Sequence, residues 1–295
     1  MKKLFLLLAI VGFMAIACTP GGVLGDDNNA NPTEQPGGNN GGEDQIPTDK
    51  IVIKPAKINV SSERDNFNYV VTVYSPCSWD ATTEDDWINI RTILGGNGKQ
   101  ELTFSVKKNQ TDVIREGKIV VANIDEGFSA ELVVTQAKIG DIVENNGAKG
   151  VIFYIDETLI KLVSVTEGFA LKWSTEYVAT GATDRDNGAN NMAIVKSISG
   201  WEDKYPAFKW CFDYGEGWYL PAYYEVGEIH NNPEKINATL KKGGYTVFSD
   251  KSLYWSSTEH DGGNAYGLVY YSGPNYYEEK DNIHRVRAIS SIVNN

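Results

Sequence analysis

Residues Tyr254 to His260, YWSSTEH, set two Ser, a Thr, a Glu and one of only three histidines beside a Tyr-Trp pair. Hydroxyl, carboxyl and imidazole groups are the working parts of nucleophilic and acid–base catalysis, while Tyr and Trp offer amphipathic rings suited to sugar contact. In a strand, Tyr254, Ser256 and Thr258 share one face and Trp255, Ser257 and Glu259 the other, which predicts a packed side and a polar side. The segment reads mainly as scaffold, with Trp255 in the core.

The remaining reactive side chains lack the spacing that catalysis requires. His230, His260 and His284 are scattered, with no H-E-x-x-H and no His/Cys pattern that builds a zinc site. Asp85-Asp86 and Glu278-Glu279 are sequence neighbours, so on a strand each pair points to opposite faces and cannot flank one glycosidic bond. No Gly-x-Ser-x-Gly elbow occurs. The stretch GNGKQ is no phosphate loop, since Gln100 stands where a Ser or Thr would hold magnesium and Ile93 replaces the leading Gly; a hairpin turn over Gly95 to Gly98 is expected instead. DRDNGANN, Asp184 to Asn191, resembles a calcium loop, but its Gly falls one place early and Val195 replaces the bidentate Glu. An Asx-rich loop capping the next helix is the preferred reading, and calcium is the one cofactor left open. No catalytic residue and no metal ligand is assigned.

Recognition chemistry is better represented. Residues 264–282, NAYGLVYYSGPNYYEEKDN, gather tyrosines, asparagines and Gly turns, a composition that gives large contact area at low entropy cost. Tyr266, Tyr270, Tyr271, Asn275, Tyr276 and Tyr277 are the candidate ligand-binding residues, some of which will pack instead. A formal charge of −12 without a basic stripe argues against nucleic acid as a partner.

These residues need elements to position them, and 295 residues suggest about two domains. Lys2 and Lys3 followed by an apolar run to Met14 have the make-up of a secretory signal, assigned to residues 1–17. The run ends at AIAC, Ala15 to Cys18, which resembles a bacterial lipobox and implies lipidation of Cys18. Residues 18–49 are rich in Gly, Pro, Asn and acidic side chains and almost free of apolar ones, so they predict a disordered tether. Asp26-Asp27 behind Cys18 loosely resembles the acidic signal that sends lipoproteins of the Bacteroides group to the outer face. An outer-membrane lipoprotein at the cell surface is therefore expected, its membrane contact made by acyl chains. Cys77 and Cys211 read as buried small hydrophobes, with a disulfide between them the open alternative.

Beyond the tether, short β-branched runs alternate with turn signals. Ile51 to Ile53, Lys57 to Val60, Tyr69 to Tyr74, Trp87 to Arg91, Leu102 to Val106, Lys118 to Ala122 and Glu131 to Thr135 predict strands of an antiparallel sandwich, with IDEG, Ile124 to Gly127, as a hairpin turn. Within residues 50–138, SPCSWDATTEDDWINI, ELTFSVKKN, REGKIVV and ELVVTQA resemble the BACON domain of Bacteroidetes surface proteins, which implies an immunoglobulin-like sandwich with a carbohydrate-binding or spacer role. Trp79 and Trp87 are expected in its core rather than on its surface.

From residue 140 the pattern changes. GVIFYI and IKLVSV predict strands; NNMAIVKSI, YPAFKWCFDY and NPEKINATLKK predict helices, the last with Asn232 as N-cap, Pro233 at N1 and Gly243 as the stop; strands return after residue 244. This is an α+β order. GEGWYLPAYYEVGEI, INATL, YWSST, AYGLVYYSG and HRVRAI together resemble the C-terminal domain of the Legionella collagen-like adhesin, over residues 140–292. The resemblance implies a C-type-lectin-like fold, shared with formylglycine-generating enzymes. Ala222 departs from the family's Ser or Thr, so a helix cap worth about 1 kcal/mol is expected to be missing. Cys211 lacks the second cysteine of the enzymatic branch. The expectation is thus an all-β immunoglobulin-like sandwich followed by an α+β C-type-lectin-like domain, acting as a non-catalytic surface lipoprotein that binds a glycan or a protein. The rivals are an enzyme of the formylglycine-generating type and a ligand-free structural subunit.

Overall fold

The computed structural model describes residues 45–111, 113–269 and 273–294. The signal peptide, Cys18 and nearly all of the tether lie outside the described residues, as do Tyr270 and Tyr271; of Asn275 only the backbone is described.

Nine strands form the first half: β1 Val52–Lys54, β2 Lys57–Ser61, β3 Asn68–Ser75, β4 Trp79–Thr82, β5 Ile88–Ile90, β6 Leu94–Gly95, β7 Gly98–Val106, β8 Arg115–Asn123 and β9 Phe128–Ala137. They make two sheets, ordered β1-β3-β7-β5 and β2-β9-β8-β4-β6. Alternation dictates what lies between them: Val71, Val73, Leu102, Phe104, Ile119, Val121, Leu132 and Val134 all point inward and are buried. The seven expected strands are present, and β4 and β6 are additional. Two expectations need correction. The sandwich is not purely antiparallel, because β2 runs parallel to β9. Gly95 to Gly98 is not a hairpin: β6 pairs with β4 in one sheet and β7 with β3 and β5 in the other, so the Gly-rich turn carries the chain across the sandwich. The turn over Ile124 to Gly127 does join a hairpin, β8 to β9, with Gly127 at φ 71°.

The second half holds β10 Ile142–Asn145, β11 Ala148–Ile155, β12 Leu159–Ser164 and β13 Gly168–Lys172, then α1 Gly188–Lys196, α2 Trp201–Lys204, α3 Pro206–Tyr214, α4 Tyr223–His230 and α5 Pro233–Lys242. The chain returns to strands with β14 Leu253–Glu259, β15 Asn264–Val269, β16 Gly273–Glu279, β17 Ile283–Val286 and β18 Ile289–Val293. One sheet is ordered β10-β11-β12-β18 and the other β13-β17-β14-β15-β16, with β14 and β17 parallel. Helices α1 and α4 pack on β14, α3 on β13 and α5 on β11, and their apolar sides close a second core that includes Trp173, Phe208, Trp218, Leu220, Ile236 and Trp255.

The helix ends show how far local signals reach. Asn187 caps α1 by accepting from Ala189 N and Asn190 N, as the Asx-rich loop predicts. At α5, Pro233 opens the helix and Lys241 and Lys242 close it, but the Asn232 side chain makes no capping bond among the described residues. The cap expected to be missing at Ala222 is replaced from a distance. Tyr223 N donates to Thr258 Oγ1 at 3.0 Å and Tyr224 N to the Arg185 carbonyl at 2.9 Å, while Ala222 N donates to the buried Glu225 carboxylate at 2.9 Å. Burial pushes the Glu225 pKa up, opposed by its bonds from Ala222 N and Gly188 N.

Strand β14 is buried along its whole length, so the expected division into packed and polar sides does not hold. Its indole donates to the Leu171 carbonyl at 3.0 Å, Ser256 Oγ to the Tyr266 carbonyl at 2.8 Å, and Thr258 Oγ1 to the Asp184 carbonyl at 2.8 Å. Glu259 accepts from Thr180 N and Gly181 N and pairs with Lys280, whose ammonium also donates to the carbonyls of Val178 and Gly262 and lies 4.7 Å from the Trp173 ring centre. Both partners are buried. Replacing Lys280 by Met leaves the Glu259 carboxylate without its counter-charge, so Lys280→Met is expected to cost about 3–5 kcal/mol in urea unfolding, with Lys280→Arg, which keeps the charge, less damaging.

Candidate ligand-binding site

The antiparallel ladder of β15 and β16 sets Tyr266 directly opposite Tyr277, so both rings stand on one face. Tyr276, opposite Gly267, stands on the other. Around the first pair the fold assembles a row of rings. Tyr223 lies 5.1 Å from Tyr224 and 5.1 Å from Tyr266 between centres; His260 lies 5.1 Å from Tyr266 and 4.2 Å from Tyr277, stacked on the latter at an interplanar angle of 10°. Tyr223 is buried, whereas Tyr224 is 51% and Tyr277 52% exposed. With one face of Tyr277 covered by the imidazole, its exposure belongs to the outer face.

Arg185 bridges the middle of the row. Its guanidinium lies 4.7 Å from the Tyr266 ring centre and 5.3 Å from that of Tyr223, and donates to Tyr266 Oη at 2.5 Å. The loop that carries it is anchored on both sides. Asn191 donates to the Asp184 carbonyl at 2.7 Å and to Ser257 Oγ at 2.9 Å, Thr258 holds the same carbonyl from β14, and Arg185's own carbonyl caps α4. The Asp184 carboxylate is held below its ordinary pKa by the Asn190 side chain and by Asp186 N and Asn187 N. Its oxygens thus hold the loop's own turn ahead of the Asn187 cap; among the described residues no group of three or more His, Cys, Asp or Glu could hold a metal ion.

The other end of the row is fixed by a turn. Asp261 Oδ1 accepts from Gly263 N and Asn264 N at 2.8 Å each, and Oδ2 lies 2.9 Å from His260 Nδ1. The Asn264 side chain, Gly263 N and the imidazole together hold the Asp261 carboxyl far below the usual carboxylate range. Chemically, the carboxylate engages Nδ1 and so orients the imidazole, leaving Nε2 outside that bond. A His-Asp pair can also orient a general base; here the ring stacks on Tyr277, and the Ser and Thr hydroxyls of β14 are buried in structural bonds. A shallow groove of about 580 Å³ runs along the outer edge of β16, lined by Asn264, Tyr276, Tyr277, Glu278, Glu279 and Asn282.

Of the residues selected from sequence, the structure therefore brings Tyr266 and Tyr277 together and sets Tyr276 on the opposite face of the ladder, with Tyr276 and Tyr277 both bordering the edge groove. Tyr270 and Tyr271 lie outside the described residues, as does the Asn275 side chain. Sequence reasoning missed Arg185, Tyr223, Tyr224 and His260 as neighbours of this face. The paired Tyr in AYYEV was the available signal, since a helix with Tyr223 inward must set Tyr224 outward. Trp79 and Trp87 are buried and offer no surface platform; a Cβ on Gly95 would lie 2.1 Å from the Trp79 ring. The Cys77 and Cys211 thiols are buried and not joined to each other, so the disulfide alternative is not realised, and burial pushes the Cys211 thiol well up.

No family model matches the sequence, and no curated protein does. Solved structures give distant likenesses. A fimbrial protein from Bacteroides ovatus ATCC 8483 is 14% identical, with 81% of this chain and 70% of that one covered, at a TM-score of 0.41. A Bacteroides ovatus GH5 xyloglucanase in complex with a XXXG heptasaccharide is 17% identical over 30% of this chain and 19% of its own, at 0.27; the chain thus spans about a fifth of that enzyme. The ASH/PapD-like domain 7 of human CEP192 is 10% identical over 37% of this chain and 98% of its own, at 0.25. Likeness at this level leaves function to be read from the residues.

The turn that carries His260 has a pH dependence with a definite sign. Because Asp261 titrates lower in the folded chain than the roughly 3.9 of an unfolded Asp, its contribution is present above about pH 4 and lost as pH falls through the folded value. Amide hydrogen exchange at Gly263 and Asn264 is expected to lose protection on acidification below about pH 4, and Asp261→Asn is expected to weaken that protection already at neutral pH.

Proposed function

We propose that the chain is a non-catalytic recognition protein of the cell surface, held at the outer membrane by a lipid on Cys18 and binding a glycan or a partner protein through the face formed by Tyr224, Tyr266, Tyr277, His260 and Arg185. The observation that carries this reading is the row of rings itself: half-exposed tyrosines whose orientations are fixed by a stacked imidazole and a guanidinium. Such rings lose little side-chain freedom on binding, and a flat apolar face edged with hydroxyl, imidazole and guanidinium donors suits the C–H face and hydroxyl rim of a pyranose. In this reading residues 50–138 are a BACON-like sandwich of immunoglobulin type serving as a spacer or an additional binding module. Residues 140–292 are a C-type-lectin-like domain, and nucleic acid is not a partner. The buried, high-pKa thiol of Cys211 supports the non-enzymatic branch, because the thiolate is the nucleophile and burial disfavours it.

Two measurements test the proposal. On a glycan and host-protein array, the mature chain is expected to be retained without turnover of the ligand. Replacing Tyr224 and Tyr277 together by Ala should lower retention by about tenfold or more with little change in the thermal transition, whereas Tyr276→Ala should leave retention through this face intact. Unchanged retention in the double variant, or conversion of the ligand, would overturn the reading. In cells, Cys18→Ala should release the protein from the membrane fraction, because the acyl chains that implement the anchor are lost; continued membrane association would remove the lipid anchor from the proposal.

A further inference from the structure

Arg185 is an unusual residue to find on this face. It is exposed, yet it is not left to sweep through solvent: its guanidinium lies against the rings of Tyr223 and Tyr266, one nitrogen donates to Tyr266 Oη, and the Tyr224 hydroxyl is a second partner. A guanidinium carries five N–H donors in a planar fork, and those that do not meet the tyrosine hydroxyls remain for another molecule. The Asp184 carboxylate beside it in sequence is engaged elsewhere, accepting from Asn190 Nδ2, Asp186 N and Asn187 N, and the distant Asp261 is engaged by its own turn and His260. Arg185 makes no ion pair among the described residues.

Laying a guanidinium against two adjacent aromatic rings removes part of the entropy cost of fixing it, and a planar fork held this way suits a carboxylate through two parallel hydrogen bonds. The ring row then supplies the remaining contact. The outer face of Tyr277 and the His260 imidazole lie beside Tyr266, whose hydroxyl Arg185 holds, so a charged group at Arg185 and a pyranose against the rings fit within one ligand. The net charge of the chain limits what that ligand can be. At a formal −12 the long-range field repels polyanions, so attraction at this face is confined to contact distance and favours a sugar with a single carboxylate.

Building on the recognition reading above, we infer that this face is selective for glycans bearing an isolated carboxylate, a terminal sialic acid or a single uronic acid, with Arg185 taking the carboxylate and the Tyr266–His260–Tyr277 rings taking the sugar. The carboxylate contact is the source of selectivity over the neutral counterpart; the rings give affinity common to both.

The test uses the full mature chain in detergent micelles and two matched pairs of probes: sialyllactose against lactose, and a glucuronate-terminated disaccharide against the same disaccharide with its carboxylate converted to the methyl ester. The expected result is at least about tenfold tighter binding of one acidic member than of its neutral partner, the size of one charge-assisted bidentate contact. The pair that shows it identifies sialate or uronate as the source. Arg185→Gln should abolish that preference. Arg185→Lys, which keeps the charge but not the fork, should restore only part of it, and the thermal transitions of both variants separate this effect from unfolding. Equal binding within both pairs overturns the inference, as does failure to bind either acidic probe, a preference that survives Arg185→Gln, or equal binding of a hexaglutamate peptide or of heparin. If the neutral probes bind and depend on Tyr277 while no acid preference appears, the inference fails and aromatic recognition stands; if only a protein ligand is retained through the ring row, the glycan assignment alone falls.

Discussion

The pairing of Lys280 with Glu259 in the interior of the second half is the constraint on which the candidate site depends. A buried charge is tolerated only when its counter-charge and its hydrogen-bonding capacity are met, and here the requirement is satisfied by drawing three separate pieces of chain to one point. The carboxylate gathers the backbone of Thr180 and Gly181, and the ammonium gathers the carbonyls of Val178 and Gly262. Gly262 belongs to the turn that carries His260, Lys280 follows the end of β16 that carries Tyr277, and residues 178–181 lead directly into the loop that carries Arg185. The ion pair therefore acts as a clamp for the site's periphery, whatever its net contribution to stability.

Strand β14 extends the same logic. Its hydroxyls look like chemistry when read as a string, but each is used at close range to hold something else: Ser256 holds β15 through the Tyr266 carbonyl, Ser257 meets Asn191 of α1, and Thr258 takes both the Asp184 carbonyl and the first N–H of α4. A hydroxyl that donates and accepts simultaneously satisfies two polar groups in a dry interior where neither could be left alone. The consequence is that Arg185, Tyr223 and Tyr224 are placed by the polar side chains of a strand that presents no group to solvent.

What could be read in the sequence divides along the range of the interactions. The strands of the sandwich, the hairpin at Ile124 to Gly127, the cap at Asn187 and the opening of α3 and α5 by Pro206 and Pro233 follow from neighbours within a few residues, and these were legible. The crossing of the Gly95 to Gly98 turn between sheets was not, because a turn's glycines state that the chain bends and not where the next strand pairs. The capping of α4 was illegible for a related reason: Ala222 reports a missing local cap, and the donor groups it leaves are met by Thr258 and Arg185 from distant parts of the chain. The candidate site shows both limits. Composition was sufficient to place Tyr266 and Tyr277 in a tyrosine-rich segment, and period-two alternation could have separated Tyr276 from Tyr277, whereas Arg185 and Tyr224 enter only through packing of α1 and α4 against β14.

This division also explains why the site has the composition it has. A face assembled from a turn, a loop and a helix start would ordinarily be mobile, and a mobile face loses affinity to the ordering of its own side chains. Here rigidity is supplied from behind, by the buried pair and the hydroxyls, so the front can be built from rings that need no further fixing: His260 is held by Asp261 and laid on Tyr277, Arg185 is laid on Tyr223 and Tyr266. In this face the imidazole lies flat on Tyr277 and the guanidinium lies over the rings of Tyr223 and Tyr266, so each polar group is fixed by the ring it adjoins.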